Sequence, residues 1–216
     1  MTDDVWAFEK QARKNGFTAV AGIDEAGRGP LAGPVVSAAV ILPEGFSVSG
    51  IDDSKKLSLK KREKLYDDIY RHAVAIGVGI VDPVEIDRIN ILQASLAAMA
   101  MSVRSLFPAP DFLLIDGQFP IPADFPQKPV IKGDSLSISI AAASIVAKVT
   151  RDRMMAVYDL EYPEFDFSTN KGYPTKAHKA AICKYGCSPI HRLTFRGVKE
   201  HIASPVEPWR LPERHA

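Results

Sequence analysis

Apolar positions along this chain follow two different periods. Phe17–Ile23, Val35–Leu42, Ala73–Val81 and Phe112–Ile115 are short, nearly continuous runs rich in small and β-branched residues, and Pro129–Ile131 makes a fifth. Bounded by Gly, Pro or Asp, such runs predict buried strands. The second follows the first directly, which predicts an antiparallel neighbour. Elsewhere the spacing is helical. Ile86, Ile89, Leu92, Leu96, Met99 and Val103 predict one long amphipathic helix opening at Pro83 and running to about Leu106. Asn90 would then be a satisfied polar core residue, or else a groove contact. Ser58 and Thr175 are placed to cap helices over 59–72 and 176–185. From Ser135 to about Glu161 a further helix begins with almost nothing but small residues, suited to packing closely on a sheet. Residues 1–16 predict a short polar helix anchored by Trp6 and Phe8, residues 165–174 a loop, and residues 203–216 a flexible tail. Strands followed by helices in this order predict an α/β protein. No internal repeat is visible.

Length and composition narrow the class without naming a function. With 216 residues, the expectation is one domain over residues 1–216, with its core at about 18–198. Hydrophobic residues make 46% and charged residues 25%, which excludes disordered and collagen-like chains. The start carries early acids and no apolar signal segment, and the stretch from Ile138 to Ala147 is too short to span a bilayer. Two cysteines, Cys183 and Cys187, fit a reducing compartment, so the expected location is cytoplasmic. A net charge of +1 means that any nucleic-acid contact must come from local patches.

The candidate chemistry sits where strands give way to loops. After the first strand come Asp24 and Glu25, then a bend dense in Gly and Pro through Pro34. Consecutive strand residues point to opposite sides, so the two side chains are not expected to serve one ligand through the same face. One side chain and a neighbouring carbonyl can. The loop lacks the Lys-Ser/Thr ending of a P-loop. It offers instead the N–H groups of Gly27, Arg28 and Gly29 with a guanidinium, suited to a phosphate or sugar edge. Asp116 and Asp134 close two further strands, Asp134 also being a candidate helix cap. Carboxylates gathered at strand ends repel one another unless cations lie between them. Oxygen donors without His or Cys favour Mg²⁺ or Mn²⁺. Two such ions around a scissile phosphate suit phosphodiester hydrolysis.

Other residues admit two readings. Lys55, Lys56, Lys60, Lys61 and Arg62 crowd a helix start where the macrodipole favours acids. They are a solvated face or a contact for a phosphate backbone. Tyr173, between Gly172 and Pro174, either packs or stacks on a sugar or base. A zinc set of His178, Cys183, Cys187 and His191 is disfavoured, because Gly186 interrupts the helix and no finger spacing is met. Lys148 lies fourteen residues beyond Asp134. On one helix that is about 21 Å, too far for a metal site, and leaves an ion pair with Asp152 or a distant backbone contact. A non-catalytic nucleic-acid module and a different carboxylate-cluster nuclease remain open alternatives.

Six blocks carry a resemblance. Gly22-Ile-Asp-Glu-Ala-Gly-Arg-Gly-Pro-Leu-Ala-Gly-Pro34, Asp53-Ser-Lys-Lys-Leu57, Leu114-Ile-Asp-Gly117, Lys132-Gly-Asp-Ser135, Ala143-Ser-Ile-Val-Ala-Lys148 and Gly172-Tyr-Pro-Thr-Lys-Ala-His178 resemble the ribonuclease HII family, in its order, from about Thr18 to Val198. The resemblance implies a ribonuclease H-like fold, a central mixed five-stranded sheet flanked by helices, with a small helical C-terminal region. It implies a metal-dependent endoribonuclease that cleaves RNA in RNA/DNA hybrids and incises 5′ of single ribonucleotides in duplex DNA, leaving 3′-hydroxyl and 5′-phosphate ends. Asp24, Glu25, Asp116 and Asp134 would be the catalytic metal ligands for Mn²⁺ or Mg²⁺. Gly27, Arg28 and Gly29 would hold the ribonucleotide and its flanking phosphate, Tyr173 would sense the RNA-to-DNA junction, and Lys55 and Lys56 would touch phosphates. No membrane partner is implied, and a monomer suffices. Thr194 stands where the family pattern has Ser, a mild departure.

Overall fold

The computed structural model describes residues 4–46, 51 and 58–202. The elements are α1 (Ala7–Lys14), β1 (Val20–Ala26), β2 (Val35–Ile41), α2 (Leu59–His72), β3 (Ala75–Val81), α3 (Pro83–Ile89), α4 (Ile91–Arg104), β4 (Phe112–Asp116), β5 (Gln127–Val130), α5 (Ile138–Glu161), α6 (Phe167–Asn170), α7 (Lys176–Tyr185) and α8 (Lys199–Ile202). The sheet has five strands in the order β3-β2-β1-β4-β5. β1 runs antiparallel to β2 and parallel to β4, so the sheet is mixed and β1 lies at its centre.

Alternation along the strands sorts residues onto two helical layers. Ala21, Ile23, Ala39, Ile41, Leu113 and Ile115 face α4 through Met99 and Val103. Ala38 and Val40 face α5 and α2. On this second side Gly22 meets α5 so closely that a Cβ would overlap the backbone of Ser139. The small residues at the start of α5 permit the same approach from the helix, and α5 thereby lies directly across β1 and β2. Its N-terminus is fixed from α1. The buried carboxylate of Glu9 accepts from Ser137 Oγ at 2.6 Å and from Ser139 N at 3.0 Å, satisfying donors that a helix start leaves open. Beyond the sheet, Phe167 of α6, Ile182 of α7 and the connecting residues Phe165, Ile190 and Val198 gather against Met155 of α5 and against Leu31 and Ala32. That cluster ties the C-terminal helices to the loop after β1.

Several expectations are corrected. The long helix from Pro83 is two helices, broken at Asn90, whose φ of 68° is left-handed. Asn90 is exposed, and its Oδ1 caps α4 by accepting from Leu92 N and Gln93 N. It is therefore not a core residue. The last strand spans Gln127–Val130 rather than ending at Gly133, and Gly133–Ser135 form a 3₁₀ turn. Ser137, not Asp134, caps α5. The expected loop at 165–174 contains α6. Ser58 and Thr175 do cap α2 and α7 at the predicted boundaries. Lys55, Lys56 and the 203–216 tail lie outside the described residues. Among the described residues no helix is long and apolar enough to cross a membrane.

Candidate active site

Two carboxylates meet on neighbouring strands. Ile23 is in register with Ile115, so Asp24 and Asp116 are the next residues of parallel β1 and β4 and point to the same, α5-facing side. β1 continues through both acids to Ala26, placing Asp24 and Glu25 within its end rather than beyond it. Asp24 is buried. Its Oδ1 accepts from Glu25 N at 2.7 Å, and its carbonyl accepts from Ser37 Oγ at 2.8 Å. Asp116 accepts from Gly133 N at 2.7 Å, which draws the 3₁₀ turn carrying buried Asp134 up to the end of β4.

Electrostatics at this strand end are unfavourable as they stand. Burial, followed by the charges of Glu25 and Asp116, holds the Asp24 carboxyl well above its usual range, against an opposing hydrogen bond from Ser144. Burial raises Glu25 too; Arg28 opposes that shift from 3.2 Å, and Asp116 adds to it. Glu25 Oε2 is buried without a hydrogen-bond partner. Charges that are desolvated and crowded fit a divalent cation, which would relieve both penalties, and the all-oxygen donor set fits Mg²⁺ or Mn²⁺. Among the described residues no three His, Cys, Asp or Glu side chains already stand in the arrangement of a formed metal site, the disfavoured zinc set included.

From Glu25 the site opens into a cavity of about 380 Å³, also lined by Gly27, Arg28, Gly29, Tyr173 and, from the helices, Arg62, Ser144 and Lys148. One expectation changes here. Glu25 shares this cavity with residues of α5, the side to which Asp24 points, so alternation does not separate the two acids although the strand is still paired with β2 there. Lys148 forms the expected ion pair with Asp152, at 2.7 Å, and also lines this cavity. Of the four carboxylates only Glu25 lines the cavity.

Opposite the glycines stands Tyr173, which is 43% exposed. A methyl group built on Gly29 would sit 3.6 Å from Tyr173 Cε1, ordinary contact distance, so the missing side chain there is open space between loop and ring. Gly27 is different. Its φ is +102°, and a Cβ would overlap Arg151 Nε and stand 2.7 Å from the Pro34 carbonyl.

The groups that shape this loop were not evident from sequence. Arg151 and Arg192 are fully buried. Arg151 donates to the carbonyls of Pro34, Ala32 and Lys171 at 2.9 to 3.0 Å. Arg192 donates to Gly27, Arg28 and Gly33 at 2.6 to 3.1 Å. Burial pushes Arg151 down to about 10, and burial with the neighbouring Arg151 charge pushes Arg192 down to about 9, so both stay cationic at neutral pH. Thr194, the residue that departs from the family pattern, uses N–H and hydroxyl to reach Asp87 at 2.9 and 2.6 Å. A hydroxyl suffices there, whichever residue carries it.

Comparison with known proteins agrees with this geometry. The family model described as ribonuclease HII matches residues 21–198. Ribonuclease HII of Geobacter metallireducens is 62% identical over 92% of this chain and 93% of its own length. That of Geobacter sulfurreducens is 59% identical over 92% and 91%. The crystal structure of ribonuclease H2 from Pyrococcus horikoshii OT3 superposes with a TM-score of 0.71 at 28% identity, covering 85% of this chain and 96% of that one. The chain has the ribonuclease H-like fold and belongs to the ribonuclease HII family, and it is an enzyme of the ribonuclease H class, a metal-dependent endonuclease.

Proposed function

We propose that the protein hydrolyses the RNA strand of RNA/DNA hybrids and incises duplex DNA on the 5′ side of a single embedded ribonucleotide, leaving 3′-hydroxyl and 5′-phosphate ends. One observation carries this reading. Repelling carboxylates at the end of β1 run without interruption into a glycine loop that faces an exposed tyrosine ring across one cavity. A metal-dependent phosphodiester site and a sugar-edge site are thus adjacent.

Asp24, Glu25, Asp116 and Asp134 would hold two Mg²⁺ or Mn²⁺ ions. Bound there, such ions supply an activated water and a counter-charge for the leaving oxygen. The protein's own groups supply position. N–H groups of the Gly27–Gly29 loop and the Arg28 guanidinium receive the ribonucleotide and its flanking phosphate. The ring of Tyr173 lies against the sugar at the RNA-to-DNA junction, where the 2′-hydroxyl is the feature that distinguishes RNA from DNA. Arg62 and Lys148 line the cavity as further cations for the backbone, and Lys55 and Lys56 are assigned to phosphate contacts from the sequence alone. The protein acts as a monomer built as one domain.

A labelled DNA duplex with one ribonucleotide tests this directly. A single cut on the 5′ side, present with Mg²⁺ or Mn²⁺ and absent with chelator, is the expected result. Binding of the duplex without any cut would favour a non-catalytic module instead.

A further inference from the structure

Both walls of the cavity hang from one dipeptide. Arg192 holds the glycine wall, donating to the carbonyls of Gly27 at 2.6 Å and Arg28 at 3.1 Å. His191, its neighbour in sequence, holds the tyrosine wall through a chain of three hydrogen bonds. Nδ1 of His191 lies 2.9 Å from Ser188 N and accepts its proton, so the ring's own proton is on Nε2. Nε2 then donates to His178 Nε2 at 3.0 Å. His178 must therefore carry its proton on Nδ1, which donates to the Tyr173 carbonyl at 2.9 Å. Both imidazoles are buried, with Phe165 and Phe167 packed edge-on around them. The walls are also joined by Leu31 N donating to Gly172 O at 2.8 Å. None of His178, His191 or Arg192 lines the cavity.

We propose that His191 and Arg192, with His178, are positioning residues that set the gap between the Gly27–Gly29 loop and the Tyr173 ring. Through that gap they set the preference for an isolated ribonucleotide over a long hybrid. This inference rests on the junction-sensing reading of Tyr173. A long hybrid presents a ribose in every register, so a slightly misplaced ring still finds productive arrangements. A single ribonucleotide presents one register, and a displacement of a fraction of an ångström is felt in full. Loosening the dipeptide should therefore penalise one substrate and largely spare the other.

The test compares kcat and KM on a duplex with one ribonucleotide and on a long RNA/DNA hybrid, at a temperature where each variant is folded. Arg192→Lys, which cannot reach the same carbonyls as a planar fork, and His178→Leu, which cuts the chain to Tyr173, should each lose about tenfold or more in kcat/KM on the single ribonucleotide and under about threefold on the hybrid. His178→Asn places an amide donor where Nδ1 stood and should restore part of the ratio. Tyr173→Ala is run alongside. If it leaves the ratio unchanged, the sensing reading fails and this inference falls with it. If it shifts the ratio while folded His178→Leu and Arg192→Lys do not, or lose both substrates alike, the positioning role alone is overturned. A second measurement needs no variant. Imidazole ¹⁵N spectra of the wild-type protein should show His178 protonated at Nδ1 and His191 at Nε2. The opposite tautomers would break the chain to Tyr173 and overturn the proposal.

Discussion

The two ends of the candidate site are built on opposite principles. At the strand end, Asp24 and Glu25 are desolvated, and the neighbouring Asp116 charge raises the proton affinity of both. At the glycine end the carbonyls of Gly27, Arg28 and Leu31 to Pro34 each have a donor, from the Arg151 or Arg192 guanidinium or from the Arg192 backbone N–H. The first region is left costly so that a cation is welcome; the second is over-determined so that a neutral sugar edge meets a fixed surface. Free energy is stored in one place and rigidity in the other. A variant should therefore act differently according to the end it touches.

The largest effect is expected at the carboxylates. Asp24→Asn should lower cleavage of every substrate by about a thousandfold or more, roughly 4 kcal/mol of barrier, with duplex binding retained. The same change removes a repelling charge, so the metal-free protein should melt at a higher temperature and gain less from Mg²⁺ than wild type. A lower metal-free melting temperature would contradict the strained-carboxylate account. Next come the glycines, which look alike in sequence and separate the two kinds of constraint. Gly27→Ala should cost about 2–4 kcal/mol of stability in urea unfolding, from a left-handed φ and the overlap with Arg151. Gly29→Ala should unfold within about 0.5 kcal/mol of wild type yet impair incision, since its methyl enters the space before Tyr173. Equal destabilisation by both would remove the distinction.

A smaller effect follows from the buried imidazoles. Burial first, then the neighbouring His178, pushes His191 down to about 3 from its ordinary 6.5. Since the folded value is depressed, the stability this neutral ring contributes is complete above pH 6.5 and is lost as pH falls from there towards 3. His191→Gln does not titrate, so its urea midpoint should fall less steeply between pH 6.5 and 4 than that of wild type, the gap reaching a few kcal/mol at most. Parallel curves would mean that His191 is not held neutral by the fold.

Much of this molecule was legible in its sequence, for reasons that are local. Continuous apolar runs gave β1, β2 and β4, a hydroxyl before a helical stretch gave the starts of α2 and α7, and small residues announced the close seat of α5 on the sheet. The strand-end acids were visible because carboxylates following buried runs are unusual. What stayed hidden depends on residues far apart in the chain. Arg151 lies in a helix that reads as polar on one side, and nothing near it shows that its guanidinium reaches Ala32 and Pro34, more than a hundred positions away. His178 and His191 were weighed only as zinc ligands, because their true partners, a backbone carbonyl and each other, leave no trace in residue type. β5 was misplaced because an edge strand reading Gln127-Lys128-Pro129-Val130 carries little hydrophobic signal. Asn90 broke a helix whose apolar period runs through it undisturbed, since a single left-handed residue leaves the spacing of its neighbours intact.

The division of labour between the two ends is tested most directly by one experiment: rates of cleavage of a single-ribonucleotide duplex and a long hybrid, side by side, for wild type, Asp24→Asn and Tyr173→Ala in Mg²⁺. The account predicts that Asp24→Asn abolishes both activities together, whereas Tyr173→Ala loses about tenfold or more on the single ribonucleotide and far less on the hybrid. If Tyr173→Ala instead lowered both rates equally, or Asp24→Asn spared either substrate, the two ends would not be a metal site and a sugar-reading site, and the account would be wrong.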